Sequence, residues 1–262
     1  MTFLARTERF DVVGSTNDVV RGWLAGGTPE VCLAVAGEQS AGRGRDGRRW
    51  VAPRGAALLL SLGFRPTWLA PDSVWRLAAI ASVAMAEAAE SVAHVPAGTV
   101  RLKWPNDLVV DAPGGIRKLA GVLGESDGLG SDDPRAVIGL GINTDWDAAA
   151  FPPDLAETMT SLRAVAGASV DDAALLDGFI GCLEDRTTAL RAGRFDGDAW
   201  ATRQVTTGRL VRLERSDRAE TVRATGVDPR SGALLIGDRS VVVGEITHVR
   251  VAGAAGAVAE AV

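Results

Sequence analysis

Residues 39–50 read QSAGRGRDGRRW, a polar stretch rich in glycine and arginine. It separates two apolar runs, residues 31–36 and 56–64, that are typical of β-strands. Glycines let consecutive backbone N–H groups converge on an anion, and arginines add charge and forked donors. Residues 42–54 hold five arginines and one acid, so we expect a mobile clamp that orders on a phosphate or carboxylate. A solvated basic loop, or one that binds RNA, is the alternative.

The flanking sequence predicts a series of strands and helices. Ser15-Thr16-Asn17-Asp18 has the form of a helix start, and Pro71-Asp72-Ser73 begins a long, alanine-rich helix. Strands are predicted over 9–13, 31–36, 56–64, 100–110, 118–124 and 136–143, and helices over 19–25, 71–92, 171–191 and 196–203. A turn sequence at 111–115 joins the strands 100–110 and 118–124.

The pattern changes after Thr207 to short strands separated by turns. They are predicted over 210–213, 221–226, 233–236, 240–243 and 247–251, and together they indicate a small β-barrel. The end of the chain is rich in alanine and glycine, which predicts disorder. We therefore divide the chain into a domain over 1–206, a barrel over 207–251 and a disordered tail over 252–262.

Lysine is rare in this chain, which has 26 arginines but only Lys103 and Lys118 as lysines. Both lie within residues 101–118, which indicates sites where a compact ammonium fits and a guanidinium does not. Lys118 enters an apolar strand, so we expect its ammonium to meet an anion.

The motif Lys103-Trp104-Pro105-Asn106-Asp107 surrounds a proline that restricts the residue before it to an extended conformation. The motif is therefore predicted in a strand or at its end. Its asparagine and aspartate are suited to orienting a nucleotide or a metal, or simply to forming a turn.

Two further motifs have both a structural and a functional interpretation. Glycines within the strand Gly139-Leu140-Gly141-Ile142-Asn143 indicate close approach by a ligand, or a strand that ends in a turn. In the same way, Ser15-Thr16-Asn17 is either a helix cap alone or a cap that also faces a ligand.

Several classes of protein are disfavoured by composition. A net charge of −5 and a pI near 5.2 argue against a nucleic-acid coat. Two cysteines, Cys32 and Cys182, and two histidines, His94 and His248, indicate neither a metal cluster nor a disulfide framework. We expect neither a signal peptide nor a membrane span. Without a P-loop or a nucleophile–histidine set, we expect chemistry by positioning and charge rather than through a covalent enzyme intermediate.

Taken together, the motifs resemble those of bacterial biotin protein ligases. They are Ser15-Thr16-Asn17, Gln39-Ser40-Ala41-Gly42-Arg43-Gly44-Arg45 with Trp50, Lys103-Trp104-Pro105-Asn106-Asp107, Lys118-Leu119-Ala120-Gly121 and Gly139-Leu140-Gly141-Ile142-Asn143. Their order and spacing match over about residues 10–162, and the short C-terminal strands fit the small SH3-like domain of that family.

The resemblance implies an α+β fold, with a class II synthetase-like catalytic domain (a mixed β-sheet with helices) followed by a small SH3-like β-barrel. It implies catalytic roles for Lys118 and Arg45 and no metal ligands. The residues implied to bind biotin are Ser15, Thr16, Asn17, Gln39, Gly42, Arg43, Lys118, Gly121, Gly139 and Gly141. The residues implied to bind the nucleotide are Arg43, Arg45, Arg48, Trp50, Asn106, Asp107 and Asn143.

The activity implied is that of a carbon–nitrogen ligase, which joins biotin to a lysine of a biotin carboxyl carrier domain of an acetyl-CoA or acyl-CoA carboxylase. The reaction passes through biotinyl-5'-AMP, with MgATP and biotin as substrates and no tightly bound metal. The resemblance also implies a cytoplasmic monomer or weak homodimer, with neither DNA nor a membrane as partner. Only 14 residues precede Ser15, too few for the DNA-binding domain that some relatives carry.

Two alternatives remain, a lipoate or octanoate ligase on the same fold and a non-enzymatic biotin-responsive regulator. Buried donors and acceptors such as Ser15, Thr16 and Gln39 favour a ureido ring over an alkyl chain or a dithiolane. Two residues depart from the family pattern. Asp46 places an acid in the arginine loop, and Met159 stands where some relatives have an aromatic residue against adenine.

Overall fold

The structure is a computed structural model that describes residues 2–112, 115–153, 155–214, 219–242 and 248–251. Its N-terminal part contains β1 (Arg6–Val13), α1 (Thr16–Ala25), β2 (Cys32–Gln39), β3 (Ala57–Phe64), α2 (Trp75–Val92), β4 (Val100–Lys103), β5 (Asp107–Ala112), β6 (Gly115–Asp127), β7 (Arg135–Asn143), α3 (Leu162–Ala166), α4 (Asp172–Arg191) and α5 (Gly197–Thr202). The C-terminal part contains β8 (Leu210–Glu214), β9 (Ala219–Arg223), β10 (Gly226–Val227), β11 (Leu234–Ile236), β12 (Arg239–Val241) and β13 (His248–Val251).

The expected α+β fold class is confirmed by a mixed sheet with helices on its faces. Seven strands lie in the order β1-β2-β3-β7-β6-β5-β4. β1 and β2 are parallel because α1 crosses between them, and the other neighbours are antiparallel. Each strand of this sheet lies in a segment that was expected to be a strand, although β4 and β5 were expected as one strand and several boundaries differ by a few residues.

The alanine-rich helix α2 forms the centre of the core. It lies between the sheet and α4, so it is buried around most of its circumference. Small side chains let the two helices approach closely: a Cβ added at Gly178 of α4 would lie 3.7 Å from Ala88 Cβ. The opposite face of the sheet carries α1 and remains open beside it, which leaves room for a site.

The predicted single strand over 100–110 is wrong. The chain reverses at residues 104–106, so that β4 and β5 are antiparallel and Lys103 faces Asp107. The proline and the Asn-Asp pair are both typical of turns, and the turn interpretation of this motif is the one that holds. The next strand begins at Gly115, earlier than the predicted 118. Part of the 111–115 turn, residues 113–114, lies outside the described residues.

The C-terminal part forms two small sheets, ordered β10-β11-β12 and β13-β8-β9. The predicted strand 221–226 is therefore two strands in different sheets. The helix α3 had no counterpart in the sequence prediction, because its five residues are too few to show helical periodicity. The domain boundary at 206/207 stays a prediction, and the tail over 252–262 lies outside the described residues.

Candidate active site

A cavity of about 150 Å³ opens on the face of the sheet that carries α1. Among the residues singled out from the sequence, those that line it are Ser15, Thr16, Asn17, Gln39, Arg43, Arg45, Arg48, Trp50, Asn106, Asp107, Lys118, Gly121, Gly139 and Gly141. The fold thus brings five separate motifs together. Gly42 and Asn143 stand just outside this lining. Gly42 contacts the backbone of Trp50, and the Trp50 N–H donates to the Gly42 carbonyl at 3.0 Å.

One end of the cavity is a network of neutral hydrogen-bonding groups. The Thr16 N–H and hydroxyl both donate to Gln39 Oε1, at 2.7 and 3.0 Å. The Ser61 hydroxyl lies 2.7 Å from Thr16 Oγ1 and 2.6 Å from Asn17 Oδ1. Ser15 is buried at the N-cap of α1, yet its side chain makes no capping hydrogen bond to the described part of the chain. Helix capping alone therefore does not explain why residue 15 is a serine.

Ser61 is a member of this hydrogen-bond network that sequence reasoning missed. It is fully buried in β3, within the run Ala-Leu-Leu-Leu-Ser-Leu-Gly-Phe over 57–64. A hydroxyl in the middle of an apolar strand needs a buried partner, which is the signal that would have found it. Its partners are two of the residues implied to hold biotin.

Glycines provide space for the side chains that cover the sheet. Gly121 of β6 faces Gly141 of β7, and the Trp50 ring lies over both. A Cβ added at Gly141 would lie 2.6 Å from Trp50 Cε2. A Cβ at Gly139 would lie 3.0 Å from Asn17 Cγ and closer still to its Oδ1. These strand glycines are therefore required by the close approach of Trp50 and Asn17, whereas the sequence predicted the close approach of a ligand.

Both lysines of the chain bind one buried carboxylate. Lys118 Nζ lies 2.6 Å from Asp107 Oδ1, and Lys103 Nζ lies 3.1 Å from Asp107 Oδ2. Burial raises the pKa of Asp107, but the two ammonium groups outweigh burial and hold the pKa below its ordinary value. Asp107 therefore stays ionised and fixes both lysines at the cavity wall. Lys103, which had no assigned role, lines the same cavity.

A bulge in β6 directs Lys118 toward this carboxylate. Leu108 pairs with Ala120 and Val109 with Lys118, so Leu119 is the extra residue. The segment 158–160 supports the bulge from the other side. The Lys118 N–H donates to the Thr158 carbonyl at 2.7 Å, and the Thr160 N–H donates to the Lys118 carbonyl at 2.8 Å.

The arginine loop is neutralised in part by acids of the protein itself. Arg43 pairs with Asp18 Oδ2 at 2.7 Å and with Glu125 Oε2 at 3.2 Å. The hydrogen bond to Asp18 is the main reason why the pKa of Arg43 is raised. Arg21 pairs with the same two acids, and Asn17 Nδ2 donates to Glu125 at 2.6 Å. The expectation of a clamp that orders on a bound anion did not include Asp18 and Glu125, which are 25 and 82 residues from Arg43.

Arg45 occupies a different environment within the loop. It lines the cavity and is largely buried, and this burial lowers its pKa. Its neighbour Asp46 has a φ of 57°, in the left-handed region that aspartate tolerates better than most residues. Asp46 therefore also fits the tight backbone turn between Arg45 and Arg48.

Asn106 and Asn143 fix the backbone around the cavity. Asn106 Nδ2 donates to the Val122 carbonyl, and the Val122 N–H donates to the Asn106 carbonyl, both at 2.8 Å. Asn143 is fully buried, and its Nδ2 donates to the Thr160 carbonyl at 3.0 Å. Its buried Oδ1 has no hydrogen-bond partner within the described residues.

An aromatic pair beside Met159 was also missed from the sequence. Trp146 and Phe151 stack with ring centroids 4.5 Å apart, and Met159 packs against them. They lie in the stretch 144–160, which shows no periodicity from which to predict their contact. The pair forms a small apolar cluster beneath the segment 158–160 that supports Lys118.

Two negative findings hold for the part of the chain that the structure describes. It contains no group of three or more histidine, cysteine or acidic residues placed to hold a metal ion. None of its helices combines the length and the apolar character needed to cross a membrane.

The chemistry of the cavity is divided between its two ends. Thr16 and Gln39, with Ser61 buried behind them, present neutral donors and acceptors to a polar, uncharged group. Lys118 and Arg45 present positive charge to an anion at the other end. Such a cavity suits a molecule with a polar head and a carboxylate or phosphate tail.

Comparison with known proteins gives consistent findings. The model of the Biotin/lipoate A/B protein ligase family matches residues 10–143. The biotin--[acetyl-CoA-carboxylase] ligase of Mycobacterium tuberculosis is 32% identical over 252 residues, which cover 92% of this chain and 90% of that protein. The bifunctional ligase/repressor BirA of Bacillus spizizenii is 31% identical over 176 residues. The chain spans about half (52%) of the length of that relative.

Among solved structures, the biotin protein ligase from Aquifex aeolicus in complex with biotin and ATP has a TM-score of 0.77. The match covers 94% of this chain and 99% of that chain, at 22% identity. The two proteins share their fold over the part of the chain that this match covers.

Proposed function

Because the chain belongs to the Biotin/lipoate A/B protein ligase family, we propose that it activates biotin with ATP and transfers it to a protein lysine. In the first step the biotin carboxylate attacks the α-phosphorus of ATP, which gives biotinyl-5'-AMP and releases pyrophosphate. In the second step a carrier lysine attacks the acyl carbon, loses a proton and displaces AMP.

The observation that carries this proposal is the network around Thr16, Gln39 and Ser61. A ureido ring offers two N–H donors and one carbonyl acceptor, so it pairs with buried hydroxyl and amide groups. Lipoate and octanoate offer no such groups at the corresponding end, so they would bury an apolar chain against these polar atoms and form no hydrogen bonds with them. The network therefore favours biotin over the other acids of the family.

The positive end of the cavity suits the adenylate-forming step. We assign Lys118 and Arg45 to the charge that develops on the α-phosphate. MgATP enters as a substrate, with Mg²⁺ held mainly by the phosphates and water. Asp107 already binds a lysine through each of its oxygens, so its role is to position the lysines rather than to ligate the metal. Asn143 Oδ1 is the acceptor we assign to the nucleotide.

The acceptor we propose is a biotin carboxyl carrier domain of an acetyl-CoA or acyl-CoA carboxylase. We further propose a monomer or weak homodimer that works in the cytoplasm, where ATP is available. The two small C-terminal sheets, which follow the domain boundary at 206/207, would together form the SH3-like barrel. Neither DNA nor a membrane is proposed as a partner.

Transfer to a carrier domain tests this function. Purified enzyme with biotin and MgATP should add one biotinyl group to a recombinant carrier domain, detected by intact mass. A carrier whose acceptor lysine is replaced by arginine is the matched control and should stay unmodified. Lipoyl or octanoyl transfer in preference to biotinyl transfer would contradict the proposal.

Replacing Arg45 by glycine is expected to release the intermediate. Arg45 lines the cavity as part of the loop that covers it, and its charge would retain the anionic adenylate until a carrier arrives. We expect Arg45→Gly to keep part of its activation rate and to label lysines of bystander proteins. Streptavidin blots of enzyme mixed with serum albumin measure this. Arg54→Gly is the control, because Arg54 instead pairs with Asp11. Bystander labelling no higher than that of the parent enzyme would rule out retention by Arg45.

DNA binding is expected to be absent. The acidic balance of the chain opposes attraction to phosphate backbones. A gel-shift experiment at low salt with biotin and ATP should show no discrete complex. A sequence-specific, salt-sensitive complex would instead support the regulator alternative.

A further inference from the structure

The turn between β4 and β5 has one side in the cavity and the other against the C-terminal part of the chain. On the cavity side, Lys103 and Asp107 carry the charges described above. On the other side, the Trp104 side chain is 1% exposed and reaches residue 232. Movement of this turn would therefore displace the charged groups of the cavity.

Two hydrogen bonds hold Trp104 in place. Its backbone N–H donates to Thr206 Oγ1 at 3.0 Å, and its indole Nε1–H donates to the Gly232 carbonyl at 2.9 Å. Thr206 is fully buried, so water does not readily replace its hydroxyl if that group is removed.

The segment that supplies Thr206 is itself bound to β4. The Leu102 N–H donates to the Arg203 carbonyl and the Val205 N–H donates to the Leu102 carbonyl, both at 2.8 Å. Arg203 in turn forms a two-fold ion pair with the buried Glu90 of α2, at 2.8 and 3.0 Å. Residues 203–206 are therefore a rigid support beside the turn.

The position of the second acceptor is fixed by packing on α2. Gly232 has a φ of 74°, in the left-handed region that favours glycine. A Cβ added there would lie 2.8–3.0 Å from the Trp75 ring. Only glycine lets this backbone approach Trp75 so closely, and the approach brings its carbonyl to Trp104.

We propose that Thr206 and Gly232 are positioning residues that act through Trp104 on Asp107 and the two lysines. The C-terminal part of the chain thereby sets the geometry of the charged end of the cavity. The neutral end is built on α1, β2 and β3 and is independent of this support. The catalytic meaning of the inference rests on the proposed function.

Removing the Thr206 hydroxyl tests the inference. Thr206→Val keeps the shape of the side chain and removes the acceptor, whereas Thr206→Ser keeps the acceptor. Thr187→Val is the matched control, because Thr187 is equally buried in α4 and its hydroxyl has no partner within the described chain. Trp104→Phe removes the indole donor together with part of the ring volume, and it is a second variant in case Thr206→Val does not fold.

The first measurement needs no ligand. The Val122 N–H donates to Asn106 in the turn, and in Thr206→Val its hydrogen exchange should accelerate about tenfold, the effect of weakening one buried hydrogen bond. The second measurement is biotin-dependent pyrophosphate exchange, whose kcat should fall about tenfold while biotin affinity stays within about twofold. Thr206→Ser should restore both values.

Three results would overturn the inference. They are Val122 exchange in Thr206→Val no faster than in Thr187→Val, an unchanged kcat, and a biotin affinity that falls in step with kcat. If the parent enzyme catalyses no biotin-dependent exchange, the proposed function fails. The Val122 measurement then still decides whether Thr206 positions the turn.

Discussion

Lys118→Arg is expected to lower the rate of biotin-dependent pyrophosphate exchange by about 10²–10³-fold, the effect of losing one oriented charge in a transition state. Lys118 Nζ is confined by Asp107 Oδ1 at 2.6 Å and by the Trp50 ring, whose centroid is 5.5 Å away. It also lies 3.2 Å from the position of a Cβ at Gly121. We expect a planar guanidinium at this position to lose the contact that Lys118 Nζ makes with Asp107 Oδ1 or to shift the Trp50 ring.

The same assay on three further variants separates charge from shape. Lys118→Ala should be at least as slow as Lys118→Arg, because it lacks the charge altogether. Arg117→Lys changes the adjacent residue in the opposite direction and should run within about twofold of the parent, as a surface substitution usually does. Lys103→Arg is expected to be milder than Lys118→Arg but is not a clean control, because Lys103 binds the same carboxylate. If the rate of Lys118→Arg is within a few-fold of the parent rate, position 118 requires only a positive charge and the proposed role of Lys118 is wrong.

Gly139→Ala is expected to weaken biotin binding by about 100-fold, or about 3 kcal/mol. The new methyl group would overlap Asn17, which already lies 2.6 Å from both Ser61 Oγ and Glu125 Oε2. Moving Asn17 therefore breaks one buried and one partly buried hydrogen bond, and a buried partner left unsatisfied costs about 1–3 kcal/mol. Isothermal titration calorimetry with biotin alone measures the change without involving ATP.

Gly124→Ala is the matched control for this substitution. Gly124 lies on the adjacent strand, but its added Cβ would meet only Ile138 Cδ1 at 3.6 Å and Ala78 Cβ at 4.0 Å, which is ordinary packing. We expect Gly124→Ala to bind biotin like the parent. Equal affinities for Gly139→Ala and Gly124→Ala would show that the Asn17 network does not form the biotin site.

The strands and the main helices followed from local sequence patterns. Runs of apolar residues predicted β3 and β7, and the sequence Pro71-Asp72-Ser73 predicted the N-terminal end of the α2 region. The reversal at residues 104–106 was misassigned because proline is compatible with both an extended strand and a turn. The choice between a continuous strand and a turn depends on the pairing of Lys103 with Asp107 across the hairpin, which is seen only in the structure.

The composition of the cavity was predicted more completely than its internal contacts. Most residues that line the cavity could be singled out from the sequence, because glycines within a strand indicate close approach and clustered positive charge indicates anion binding. The partners of those residues were missed where they are far apart in sequence. Glu125 is 82 residues from Arg43, and Ser61 is 45 residues from Thr16. Which acid or hydroxyl reaches a motif residue depends on strand order, which local patterns do not encode.

Biotin-dependent exchange of pyrophosphate into ATP tests the central claim most directly. The enzyme is incubated with MgATP and labelled pyrophosphate, and with biotin, lipoate or octanoate in separate reactions. The structure predicts rapid exchange with biotin and exchange near background with the other two acids, because only biotin satisfies the polar groups around Thr16, Gln39 and Ser61. Exchange that is equal for all three acids, or fastest with lipoate or octanoate, would contradict the account.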